Sequence, residues 1–105
     1  MSEKELYELL QTTGLPVAYD HFSLDPDNEI NPPFILYRNN DLVTKTADDK
    51  VYCKFHSYII DLVTDEKDYL LESNVEKIFD DNYLPYDKEE DYLDEERVYQ
   101  IRYFI

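Results

Sequence analysis

Apolar and polar residues alternate along this chain with two different periods, and the change of period divides it into helices and strands. Near the start, Leu6, Leu9 and Leu10 share one face of a helical repeat. Ser2 followed three residues later by Glu5 forms a capping box, and Gly14 and Pro16 close the segment. Residues 3–12 are therefore predicted as a short amphipathic helix, too short to stand alone, whose leucines dock on something larger. A second helix follows from Leu71, Val75, Ile78 and Phe79 at i, i+4, i+7 and i+8, with Thr64 or Asp65 as its cap, acidic residues in its first turn and Asn82 as its stop.

Strands are predicted around these helices. Pro32-Pro33 leads into Phe34-Ile35-Leu36-Tyr37, a run expected to be buried on both faces and to end in a turn at Arg38-Asn39-Asn40-Asp41. Residues 51–63, rich in Val, Tyr, Phe and Ile, are long enough to cross a whole sheet and form the central-strand candidate. At the end of the sequence Tyr99, Ile101, Tyr103 and Ile105 alternate with Gln100, Arg102 and Phe104, so one face of this last strand looks inward and the other is mixed. Between the second helix and that strand lies an acidic stretch, residues 87–96, which reads as a solvated loop or as a further strand or hairpin. The order predicts an α+β fold, two helices packed on one face of a mainly antiparallel sheet of four or five strands. Whether the passage through the second helix is a crossover or an antiparallel return stays open.

Composition narrows the picture. A chain of 105 residues is expected to form one domain, spanning residues 1–105. Leu, Ile, Val and Phe make up 30 of the 105 residues, above the roughly 20% below which a highly charged chain tends to stay disordered. The 25 acidic and 10 basic residues give a formal net charge of -15. Residues 61–96 hold 15 of the acidic and only 3 of the basic ones, so the charge belongs to one half of the chain. Clustered Lys and Arg, which phosphate neutralisation requires, are lacking, and direct nucleic-acid binding is not expected. No apolar stretch approaches the ~20 residues of a membrane helix, and Met1-Ser2-Glu3-Lys4-Glu5 lacks the basic-then-apolar order of a signal peptide. The single Cys53 cannot form an intramolecular disulfide and suits a reducing cytoplasm.

Candidate chemistry is sparse. Cys53 and His56, three apart on a strand, point to opposite faces and cannot form a nucleophile and base pair without a bulge. His21 and His56 show no zinc-like spacing. Asp25-Pro26-Asp27-Asn28-Glu29 begins like a calcium loop but has Ile30 where glycine is needed and Leu36 where the bidentate Glu belongs, so it is read as a turn. A single glycine, Gly14, leaves no phosphate-cradling loop. No catalytic residue, metal or cofactor is expected, and an enzyme is the poorest of the readings.

The order of several short runs carries a resemblance. Leu15-Pro16-Val17-Ala18-Tyr19-Asp20-His21-Phe22, Pro32-Pro33-Phe34-Ile35-Leu36-Tyr37 and Ala47-Asp48-Asp49-Lys50-Val51-Tyr52 are followed by Ile60-Asp61-Leu62-Val63-Thr64-Asp65-Glu66-Lys67-Asp68, Leu84-Pro85-Tyr86-Asp87-Lys88 and a closing strand near Tyr103. Over nearly its whole length the chain resembles the tail-completion, or head-tail joining, proteins of tailed phages and prophages of Gram-positive bacteria. The resemblance implies a tail-terminator-like fold that assembles as a ring, caps the tail tube and meets the head connector. It implies residence in the host cytoplasm during assembly and at the virion head-tail junction afterwards.

A ring of one protein needs two different patches of each subunit to meet. One candidate patch is the connection that contains Asn39, Asn40, Leu42, Val43, Lys45, Asp48 and Asp49, where two apolar residues sit in an otherwise polar excursion. A long connection of this kind is either a contact surface or merely mobile. Asp87, Glu89, Glu90, Asp91, Asp94, Glu95 and Glu96 are the candidate acidic surface. The competing reading is a small acidic inhibitor that imitates the phosphate array of DNA in the groove of a nucleic-acid enzyme, for which residues 61–96 supply the carboxylates.

Overall fold

The computed structural model describes residues 2–22, 30–40 and 58–105. Helix α1 (Glu3–Gln11) is capped by Ser2, whose Oγ accepts from the Glu5 N–H at 3.2 Å, and it ends at Thr12. Strand β1 (Val17–Tyr19) follows the positive-φ Gly14 and runs parallel to β2 (Phe34–Asn39). Strand β3 (Tyr58–Thr64) leads to helix α2 (Tyr69–Asp81), then to β4 (Asp87–Leu93) and β5 (Val98–Phe104).

These strands form one five-stranded sheet in the order β1-β2-β3-β5-β4, antiparallel everywhere except at β1. The fold is α+β. The passage that the sequence left open is a crossover: β3 and β4 both pair antiparallel with β5, so they run in the same direction, with α2 joining them and β5 returning between.

Alternation decides what the sheet buries. Ile35 and Tyr37 on β2, Ile60 and Leu62 on β3, and Ile101 and Tyr103 on β5 are aligned by register and form one apolar face. Leu6 and Leu10 of α1 and Val75 and Phe79 of α2 complete the same core. Tyr7 of α1 packs on Tyr37, and Phe79 of α2 meets Tyr103 edge-on with centroids 5.2 Å apart, which places α1 near β2 and α2 over β5.

Several local expectations need correction. The strand from Phe34 is buried on one face and half-buried on the other, and it continues through Arg38 and Asn39 instead of turning there. Thr64 is the last residue of β3, and the α2 cap is Asp68, whose carboxylate accepts from the Leu71 N–H at 3.0 Å. Asp65 and Glu66 thus belong to the approach to the helix, Asp68 is its cap, and Glu72 is the acidic residue of its first turn. Strand β1 was not anticipated. Asn82 does stop α2, with Tyr83 at φ 56° beyond it; the Leu84 N–H donates to the Phe79 carbonyl and the Tyr83 N–H to the Asp80 carbonyl, the double closure of a Schellman cap. Of the central-strand candidate, residues 51–57 lie outside the described residues.

Candidate functional site

The acidic stretch becomes the outermost strand of the described sheet and the turn that follows it. Strand β4 pairs with β5 along its whole length, Asp87 with Phe104 through Leu93 with Val98. Six of its seven residues are exposed, and Leu93 alone is half-buried. A sequence as polar as DKEEDYL has little intrinsic β preference, so the backbone ladder and the side-chain partners must hold it in place.

Its two faces differ. Register puts Lys88, Glu90 and Tyr92 on the helix side, opposite Tyr103, Ile101 and Tyr99, and puts Asp87, Glu89 and Asp91 on the other side, opposite Phe104, Arg102 and Gln100. On the helix side stands an ion network. Glu72 of α2 is 3% exposed and sits between Lys67 (2.8 Å) and Lys88 (2.9 Å). Lys67 also pairs with Glu90, and Lys88 with Glu76 at 3.0 Å. Glu76 in addition accepts from the hydroxyls of Tyr103 (2.8 Å) and Tyr86 (3.1 Å).

The titration behaviour follows from these contacts. Burial alone would raise the pKa of Glu76, but the bonds from Tyr103, Lys88 and Tyr86 outweigh it and hold the carboxyl below its usual range. Burial likewise works against the charged forms of Lys67 and Lys88, yet their carboxylate partners raise both. Burial and then the bond to Glu76 push the Tyr103 hydroxyl far up, so it stays a neutral donor. Within this network every carboxylate meets a cation or a hydroxyl, an arrangement that fixes β4 to α2.

The other face is centred on Asp61 of β3 and Arg102 of β5, direct cross-strand neighbours joined by bonds of 2.8 and 3.3 Å. The bond to Asp61 raises the pKa of Arg102, and the charges of Glu89 and Asp91 add to the effect. The outer row of β4 therefore faces a cation that Asp61 already holds. At the hairpin tip, Tyr92, Leu93, Asp94, Glu95 and Glu96 line an open hollow.

All seven residues of the expected acidic surface are exposed, but they do not form one surface. Asp87, Glu89 and Asp91 share the outer face, Asp94, Glu95 and Glu96 form the turn, and Glu90 is turned toward the helix side as a partner of Lys67. Of the expected interface, Asn39 ends β2, with its N–H donating to the Tyr19 hydroxyl, and Asn40 is buried. Leu42, Val43, Lys45, Asp48 and Asp49 lie outside the described residues, as do Cys53, His56 and residues 25–29. His21 is exposed, its Nδ1 3.2 Å from Asp20.

Sequence reasoning missed the network around Glu72. A signal was present: Glu72 and Glu76 are four apart on one helix face beside Val75 and Phe79, and Lys67, Lys77 and Lys88 are the three cations of the acidic half. Among the described residues, no group of three or more His, Cys, Asp or Glu side chains is placed to hold a metal ion, and no helix is long and apolar enough to cross a membrane. Comparison with protein-family models, with curated proteins and with solved structures finds no match to the chain.

Proposed function

We propose that this chain is a structural virion-morphogenesis protein that completes the tail tube of a tailed phage or prophage as a ring and joins it to the head connector, acting by contact and not by catalysis. The order of runs that resembles the tail-completion proteins supports this reading. The observation that carries it is the placement of Asp87, Glu89, Asp91, Asp94, Glu95 and Glu96: they occupy one exposed strand and its turn and take no part in the apolar core, so their charge is displayed on the surface. Turned toward a channel, such a surface lets packaged DNA pass without sticking, because like charges repel at short range. A ring whose lumen is neutral or basic overturns that part.

Copies of charge -15 repel one another, so the protein is expected to be a monomer or weak oligomer at low salt and to assemble at raised ionic strength or on the end of a tube. Light scattering across a salt series measures this, and a tight ring at low salt contradicts it. The decisive experiment is electron microscopy of the purified protein mixed with tail tubes. Rings seated on tube ends are expected, and tubes that stay bare at saturating protein sink the reading.

One observation favours the second reading, an acidic DNA mimic that inhibits a nucleic-acid enzyme. Asp87, Glu89 and Asp91 repeat every second residue along one strand face, a spacing of about 6.8 Å. That is about twice the 3.4 Å rise between phosphates of one DNA strand. Displacement of DNA from a basic enzyme by the purified chain, lost when these three residues become Asn or Gln, is the result this alternative requires.

A further inference from the structure

We infer that β4 is a releasable strap, which lifts from β5 and α2 as a unit while the rest of the fold stays intact, and that the clamp of Lys67 and Lys88 on Glu72, Glu76 and Glu90 sets how often it opens. The inference is independent of the functional reading above. It starts from a contrast in what each strand buries. Strands β2, β3 and β5 each place two or more residues in the apolar core, whereas β4 places none there. Beyond the backbone ladder to β5, the contacts of β4 include the ion pairs on the helix side and the packing of Tyr92 on Tyr99, with centroids 4.9 Å apart. Segments with few buried apolar contacts open at lower free energy than the core that surrounds them.

The clamp explains why the strap is closed at all. Glu72 is buried, and without Lys67 and Lys88 its charge lies unpaired between α2 and β4, a cost that lifting β4 relieves. The groups that face this point are Lys67 before α2, Glu72 and Glu76 on α2, Tyr86 after it, Lys88 and Glu90 on β4, and Tyr103 on β5. Only the two lysines are cations, so they decide the balance. Lifting β4 uncovers the outer backbone edge of β5, Val98–Phe104, a row of donors and acceptors that another extended strand can satisfy. Strand β4 is then a cover over a latent pairing edge.

Native-state hydrogen exchange, read residue by residue on the whole chain, tests this. In the unaltered protein the β4 amides that bond to β5 should exchange at least about tenfold faster than those joining β3 to β2. Lys67→Met with Lys88→Met should speed β4 exchange by a further factor of about ten or more and leave the β2 and β3 amides unchanged. Adding Glu72→Leu removes the stranded charge and should return β4 protection to its original level or above it. Loss of protection in β2 and β3 together with β4, in the double variant or in the unaltered protein, makes β4 part of one cooperative unit and overturns the inference. So does a triple variant that protects β4 no better than the double.

Discussion

At the β1–β2 end of the sheet, Leu6 and Leu10 of α1 enter the same cluster as Ile35 and Tyr37, and Tyr7 and Tyr19 both pack against Tyr37. At the β5–β4 end, α2 reaches the outermost strand β4 through two lysines and three glutamates. The first end is held by area removed from water, which does not depend on pH and is indifferent to which neighbour supplies the carbon. The second is held by a network of particular partners in which two lysines serve three carboxylates, so loss of a lysine leaves buried negative charge uncompensated. One sheet thus carries two kinds of attachment, and they should answer to different perturbations.

The largest effect belongs to the apolar end. Leu10→Ala removes a fully buried side chain and should cost about 2–5 kcal/mol in urea unfolding, by nearly the same amount at pH 5 and pH 8. Next comes the pair on the opposite face. Asp61→Asn deprives Arg102 of its partner and should cost about 1–3 kcal/mol, the lower part of the range reflecting the one-third exposure of the Arg102 side chain. An equal loss in Arg102→Met, with no further loss when the two are combined, would mark the pair as one unit in a double-mutant cycle.

The charged end is distinguished by pH. Because the folded state holds Glu76 below its usual pKa, its carboxylate contributes stability above the unfolded value of about 4.3, and that contribution is lost as pH falls through the lower folded value. Glu76→Gln should therefore cost about 1–2 kcal/mol near neutrality, and the gap to the unaltered protein should close as pH drops toward 3. Lys67, Lys88 and Tyr103 are all raised, so their contributions are full below about pH 10 and fade above it. A gap that stays constant from pH 3 to pH 8 contradicts the role given to Glu76.

The smallest effect tests the cap that closes α2. Tyr83 is 91% exposed and adopts φ 56°, so it holds a left-handed conformation without recovering anything by packing. Tyr83→Gly should stabilise the protein by about 0.5–1 kcal/mol, raising its thermal midpoint, because glycine takes that position of a Schellman cap freely. A lower midpoint would show that the ring matters more than the backbone.

What could be read in advance follows the same division. The Ser2 cap of α1, the Val75 and Phe79 stripe and the alternation of Ile101, Tyr103 and Ile105 are legible because each is a local pattern within a few consecutive residues. Strand β1 was not, since three residues are too few to show a period and it exists by pairing with β2. The start of α2 is not legible because Asp65 and Glu66 carry the acidic letters of a first turn while belonging to the connection that leads to the Asp68 cap. Of the acidic surface, the exposure of Asp87, Glu89, Asp91 and Asp94–Glu96 was legible from charge alone. The inward turn of Glu90 was not, because it depends on a lysine 23 positions away that register brings beside it.

The outer row of carboxylates on β4 has a consequence for how the protein keeps at high concentration. A sheet margin invites stacking with its own kind, and fibrils grow when one flat margin templates the next. Here an approaching copy meets the row of Asp87, Glu89 and Asp91 with a row of its own, so growth in that direction is opposed before any backbone contact forms. The two lysines behind the strand keep that guard at its post.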